Sequence, residues 1–135
     1  MNQPVKPLTP RAHGYIDYAA VLALAVAPAL LDFSTTPSAI CYALATVHLA
    51  MTLLTAFPLG VTDLIPFRVH GAIEAVVALV ILALPWVADF STEEPARNFF
   101  VISAIALGVT WALTDYKAAY SPHSRGPRSR SPSFI

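Results

Sequence analysis

Arg11-Ala12-His13-Gly14-Tyr15-Ile16-Asp17 returns 57 residues later as Arg68-Val69-His70-Gly71-Ala72-Ile73-Glu74, and reading these two stretches together decides the fold. Each copy opens an apolar run. The runs close alike, with Pro28 and then Asp32-Phe33-Ser34-Thr35 against Pro85 and then Asp89-Phe90-Ser91-Thr92. From Arg11 to Thr35 the copies align without a gap, 10 of 25 positions being identical, with Asp17 opposite Glu74 as a conservative match. A match at a fixed period predicts two similar structural halves before it predicts any chemistry.

Working outward, four apolar segments emerge, over residues 13–31, 39–57, 70–88 and 99–114. At about 1.5 Å rise per residue, runs of this length fall just short of a hydrocarbon core of about 30 Å, and flanking aromatic and polar residues make up the difference. Composition agrees. Of the 135 residues 56% are hydrophobic and only 12% charged, and the mean hydropathy is +0.63. A soluble core of this size has no room for so much apolar surface, and the second and fourth segments lack the polar stripe of a solvent-facing helix. The first segment resembles a signal peptide at Ala25-Val26-Ala27, but Pro28 disfavours cleavage and Asp17 interrupts the apolar region. It is therefore read as a span.

The expected organisation is an all-α bundle of four transmembrane helices made of two tandem hairpins. Residues 1–12 form a cytoplasmic arm, 13–57 the first hairpin, 58–69 a cytoplasmic loop, 70–116 the second hairpin and 117–135 a disordered basic tail. Lys6, Arg11, Arg68, Lys117, Arg125, Arg128 and Arg130 then share one side, against Arg97 alone on the other. The positive-inside rule makes that side, and both termini, cytoplasmic. An even number of spans per copy puts the pseudo-axis along the membrane normal. Stripes at Ala19, Ala23, Ala27 and at Ala104, Gly108, Ala112 suggest close helix contacts. Trp86, Trp111, Tyr15, Tyr18, Phe57, Phe90 and Tyr116 near segment ends suggest an aromatic belt. Asp32 and Asp89 are expected to cap turns, and Asn98 to cap the fourth helix.

The net charge is zero and no basic patch is interleaved with aromatics, which argues against a nucleic-acid partner. The expected partners are membrane lipid and either a second copy of the chain or another membrane protein. Cys41 is the single cysteine, so there is neither a disulfide framework nor a thiolate metal cluster; a buried apolar role is expected. Nucleophile elbows and phosphate-cradling glycine loops are absent, so nucleophilic catalysis has little support; the reading leans to a non-enzymatic protein, with a membrane enzyme as the third alternative.

Chemistry concentrates in the repeated stretch. His13 and Asp17, like His70 and Glu74, are spaced i, i+4 and stack on one helix face. If the halves face each other, two imidazoles and two carboxylates meet. The simplest reading is a polar brace fixing helix register. Other readings are a proton or ion relay, a metal site for Zn, Mn or Fe, and bis-His haem ligation by His13 and His70. No cofactor is required by the sequence. Arg11 and Arg68 either anchor helix ends at anionic headgroups or pair with Asp17 and Glu74. His48 lies within the second segment opposite Ile105, where a single interhelical hydrogen bond is the simplest role. Gly14 and Gly71 permit close approach or a bend.

Leu84-Pro85-Trp86-Val87-Ala88-Asp89-Phe90-Ser91 resembles the signature of bacterial SPW-repeat membrane proteins, in which a hydrophobic helix ends in Ser-Pro-Trp before a turn and a second helix. Leu84 replaces the Ser, and Ala29 replaces the Trp in the first half. The resemblance implies a duplicated two-helix unit in a bacterial inner membrane and brings no catalytic residues.

Overall fold

A computed structural model describes residues 6–118 of the protein. The outermost residues of the expected arm and the tail from residue 119 lie outside that range. The chain order is α1 (Pro10–Leu30), α2 (Thr35–Leu54), β1 (Thr55–Ala56), β2 (Ile65–Pro66), α3 (Phe67–Val87) and α4 (Glu94–Leu113). This is the expected four-helix bundle. All four helices are 20 or 21 residues long and apolar enough to cross a membrane. They are longer than the apolar runs because residues before the start of each run are also helical.

The extensions have local causes. α1 starts at Pro10, inside the expected arm, because the Thr9 hydroxyl accepts from the Ala12 N–H at 3.2 Å and proline suits the first helical position. α3 starts at Phe67, inside the expected loop. α4 starts at Glu94 with Pro95 in its first turn, so Asn98 is an interior residue and not the cap.

α1 and α3 end identically. The Phe33 N–H donates to the Pro28 carbonyl at 3.0 Å, and the Phe90 N–H to the Pro85 carbonyl at 2.9 Å. Asp32 and Asp89 sit in the left-handed region, with φ of 53° and 58°. Each is thus the left-handed residue of a Schellman-type stop, a position usually given to glycine, and not a side-chain cap. The helices run on through Pro28 and Pro85.

Helix backbones approach closely within each hairpin, α1 against α2 and α3 against α4. At the end of the bundle holding these stops, the hairpins share an apolar core of Leu24, Phe33, Cys41, Ile81, Phe90 and Phe100 with small alanines. Ser34 also links them there, donating from its N–H and hydroxyl to the Glu93 carboxylate at 2.8 and 2.6 Å. Cys41 is fully buried, in the apolar role expected. Of the small-residue stripes only Ala27 and Ala104 are buried in the core; Ala19, Ala23 and Ala112 are exposed, and a methyl group placed on Gly108 would meet nothing within 4 Å. Phe57 and Phe90 are buried and belong to no belt, whereas Tyr15, Trp86 and Trp111 are exposed near helix ends.

The outer faces are apolar, with Leu22, Val47, Leu79 and Ile102 each more than 60% exposed, while His13, Asp17, His70 and Glu74 are at most 1% exposed. Polar residues inside and apolar residues outside is the pattern of a surface that meets lipid.

The halves correspond beyond the stretch legible as a repeat. β1 pairs with β2 in parallel, Thr55 opposite Ile65, and Leu8 forms the same kind of bridge with Thr114. Leu8 matches Ile65 at offset 57, and Thr55 matches Thr114 at offset 59. The offset changes because four residues separate α1 from α2 and six separate α3 from α4. His48 therefore matches Leu107, not Ile105.

Candidate metal centre

The first turns of α1 and α3 carry His13 and His70, and one turn further in lie Asp17 and Glu74. All four side chains are buried and bring one ligand atom each to within 4.8 Å of one another. His13 Nε2 lies 3.2 Å from Asp17 Oδ1 and 3.3 Å from Glu74 Oε2. His70 Nε2 lies 3.4 Å from Asp17 Oδ2 and 3.5 Å from Glu74 Oε1. Each imidazole thus faces the carboxylate of its own helix and that of the other.

Two threonines not singled out in the sequence orient the rings. His13 Nδ1 is 2.8 Å from the Thr114 hydroxyl, and His70 Nδ1 is 2.8 Å from the Thr55 hydroxyl. Each threonine belongs to the opposite hairpin and follows the last turn of its second helix. Each hydroxyl also lies 2.6 Å from a helix carbonyl, Thr114 from Thr110 and Thr55 from Met51. A hydroxyl has one proton, and two oxygens this close to each other need it between them. The hydroxyls therefore donate to the carbonyls and accept from Nδ1–H. In the neutral imidazole this leaves Nε2 as a bare lone pair aimed at the carboxylates.

The centre is consequently rich in acceptors. His13 Nε2, His70 Nε2, Asp17 Oδ2 and Glu74 Oε1 are buried without a hydrogen-bond partner among the described residues. Among them the Tyr116 hydroxyl donates to Glu74 Oε2 at 2.8 Å. Burial, and then the charge of Glu74, push the Tyr116 phenol well above its ordinary pKa, so it stays a donor. Buried acceptors facing one another call for a cation between them.

A charge-assisted N–H···O bond is about 2.7–2.9 Å long. Ligands about 2.0–2.1 Å from a tetrahedral metal ion lie about 3.3–3.4 Å from each other. The four imidazole–carboxylate separations, 3.2 to 3.5 Å, are longer than the first figure, and each histidine meets a different oxygen of each carboxylate. One ligand atom from each residue gives a set lying within 4.8 Å, loose enough to admit a metal ion. Nδ1–H held by an outer partner while Nε2 faces inward is likewise the usual arrangement of a metal-ligating histidine.

The walls are aromatic. Phe67 packs edge-on to His13 at 5.2 Å between ring centroids, stacks on Phe57 at 5.6 Å and meets Tyr116 at 4.7 Å. A methyl on Gly14 would overlap the Phe57 ring and one on Gly71 the Tyr116 ring, so both glycines serve close approach and not a bend. Haem ligation does not fit. The His13 and His70 rings are 5.4 Å apart, and both carboxylates occupy the space a porphyrin would need.

Arg11 and Arg68 are exposed, and the ion pairs of Asp17 and Glu74 among the described residues are all with histidines. The arginines thus stand outside the centre. His48 lies at its edge, with Nε2 3.6 Å from Asp17 Oδ1, too long for a hydrogen bond, and Nε2 has no other hydrogen-bond partner among the described residues. A signal for the missed residues existed: Thr55-Ala56-Phe57 and Thr114-Asp115-Tyr116 are a Thr-x-aromatic pair. The change of offset from 57 to 59 conceals it.

No protein-family model matches this chain, and neither does any curated protein or solved structure compared with it.

Proposed function

We propose that the protein is a four-span integral membrane protein whose two hairpins are joined by one divalent transition-metal ion, bound by His13, Asp17, His70 and Glu74. Two imidazoles and two carboxylates suit Zn(II), and with it Mn(II) or Fe(II). Each hairpin supplies half of the ligands. The metal and the brace are then one device, and the role is non-enzymatic: assembly of the membrane domain, with lipid around it and a second copy or another membrane protein as partner. The pseudo-axis runs along the membrane normal through the centre. Lys6, Arg11, Arg68 and Lys117, at the end of the bundle that holds the centre, favour a cytoplasmic position for that end.

The observation that carries the proposal is the direction of the imidazole protons. Both Nδ1–H groups are engaged by threonines whose own protons are committed elsewhere, so with neutral imidazoles two Nε2 lone pairs and two carboxylates converge. The test is elemental analysis of the full chain purified in detergent from metal-replete cells. One metal ion per chain is expected in the wild type, and none in the double variant His13→Ala, His70→Ala. A wild type that carries no metal and takes up no added Zn(II) would overturn the proposal in favour of a doubly protonated imidazole–carboxylate brace. Metal retained by the double variant would move the ion elsewhere.

A further inference from the structure

Beside the metal centre, between the hairpins, lies a cavity of about 150 Å³. Fourteen of its 15 lining residues form seven matched pairs, at offset 57 on α1 and α3 and at offset 59 on α2 and α4. The fifteenth is Asp17, the one metal-centre residue that reaches the cavity. Most pairs are apolar on both sides. Three are not: Leu44 faces Ser103, Met51 faces Thr110, and His48 faces Leu107. The Thr110 hydroxyl is already committed to the Ala106 carbonyl at 2.8 Å. His48 Nε2 is uncommitted.

A repeat that keeps its cavity walls matched and breaks the match with a histidine distinguishes one end of an occupant from the other. A dry cavity of this volume accepts a single six-membered ring. Ile16, Val47 and Ile73 line it and are also exposed, so it opens on the apolar outer face. At its polar end, Asp17 Oδ1 and His48 Nε2 stand 3.6 Å apart. An oxygen set to one side of this pair lies within hydrogen-bond reach of both. A hydroxyl there donates its one proton to the carboxylate and accepts from His48 Nε2–H. A carboxylate that gives one oxygen to a metal ion retains a second for this purpose.

We infer that this cavity binds the ring end of a lipid-soluble phenol or alcohol, its hydroxyl held by Asp17 and His48. The site goes beyond the proposed metal role, and His48 is a ligand-binding residue in it and not a metal ligand.

The test uses the detergent-purified full chain with phenol and benzene as probes, followed by calorimetric titration. A hydrogen bond to a charged group makes phenol bind about tenfold more tightly than benzene. In His48→Leu, which installs the residue of the matching position, the two probes bind equally while the metal content stays at the wild-type value. An independent reading on the wild type is a nuclear Overhauser contact between phenol ring protons and the His48 ring. Equal binding of both probes to the wild type, a phenol preference unchanged in His48→Leu, or saturable phenol binding without that contact would each overturn the inference. A loss of metal in the wild type would strike the metal proposal and leave this one standing.

Discussion

The first hairpin and the second build the same site with different accessories. In the first, Asp17 is approached by His48 from α2, and the aromatic ring over Gly14 is Phe57. In the second, Glu74 is held by the Tyr116 hydroxyl, and Tyr116 is itself the ring over Gly71. Phe57 matches Tyr116, and Leu107 matches His48. What is shared, one His, one carboxylate, one Gly and one Thr per half, is what a symmetric ion needs. What differs falls around the two carboxylates. Glu74 Oε2 accepts from the Tyr116 hydroxyl, whereas Asp17 borders the cavity, with His48 Nε2 3.6 Å from its Oδ1. The shared set sits at matched positions of the two halves, and the differences cluster around the two carboxylates.

The largest effect tests the shared part. Thr55→Val and Thr114→Val keep side-chain shape and remove the groups that orient the imidazoles. Loss of such an outer partner costs about 10- to 100-fold in metal affinity. The two variants should weaken binding equally in a chelator competition, and the double variant should weaken it further. A loss confined to one variant would show that only one histidine ligates.

The next effect separates the halves. Gly14→Ala and Gly71→Ala each force a methyl into an aromatic ring, and overpacking of this kind costs about 1–3 kcal/mol. Both should lower the melting temperature of the detergent-solubilised protein. Gly71→Ala alone should also disturb the centre, because the ring it displaces carries the donor to Glu74. Equal effects of both on metal affinity would erase the distinction drawn between the halves.

The smallest effect comes from removing the difference. Tyr116→Phe gives the second half the ring of the first and removes one hydrogen bond to a carboxylate at a partly buried site. A loss of about 1 kcal/mol in stability is expected, with metal stoichiometry unchanged. A metal-free Tyr116→Phe protein would make the phenol part of the binding site and not a support for it.

Much of the site was legible in the sequence. His13, Asp17, His70 and Glu74 were readable because i, i+4 spacing fixes their helix face and the repeat fixes their depth. The threonines and Tyr116 were less so. They follow the second helix of each pair, after a turn whose length differs by two residues between the halves, so a single offset passes over them. The roles of Arg11 and Arg68 were open because an arginine at a helix end can reach either lipid or a buried carboxylate. Their exposure settles that they do not join the centre. The aromatic residues were misassigned for a related reason. Phe57 and Phe90 lie at helix ends as Trp86 does, but distance along a helix says nothing about which way the ring turns.

The sequence by itself determined the four apolar helices, their pairing as two hairpins and the presence of four ionisable groups in matched positions. These follow from length, hydropathy and period, all local properties of the chain. Only the tertiary structure decided that those groups meet with four acceptor atoms facing inward. That depends on where Thr114 lies relative to His13 and Thr55 relative to His70, contacts between hairpins that no periodicity encodes. The same holds for the cavity. Its walls are ordinary apolar residues in sequence, and they enclose a space only because the two hairpins, closely packed within themselves, meet each other mainly through side chains.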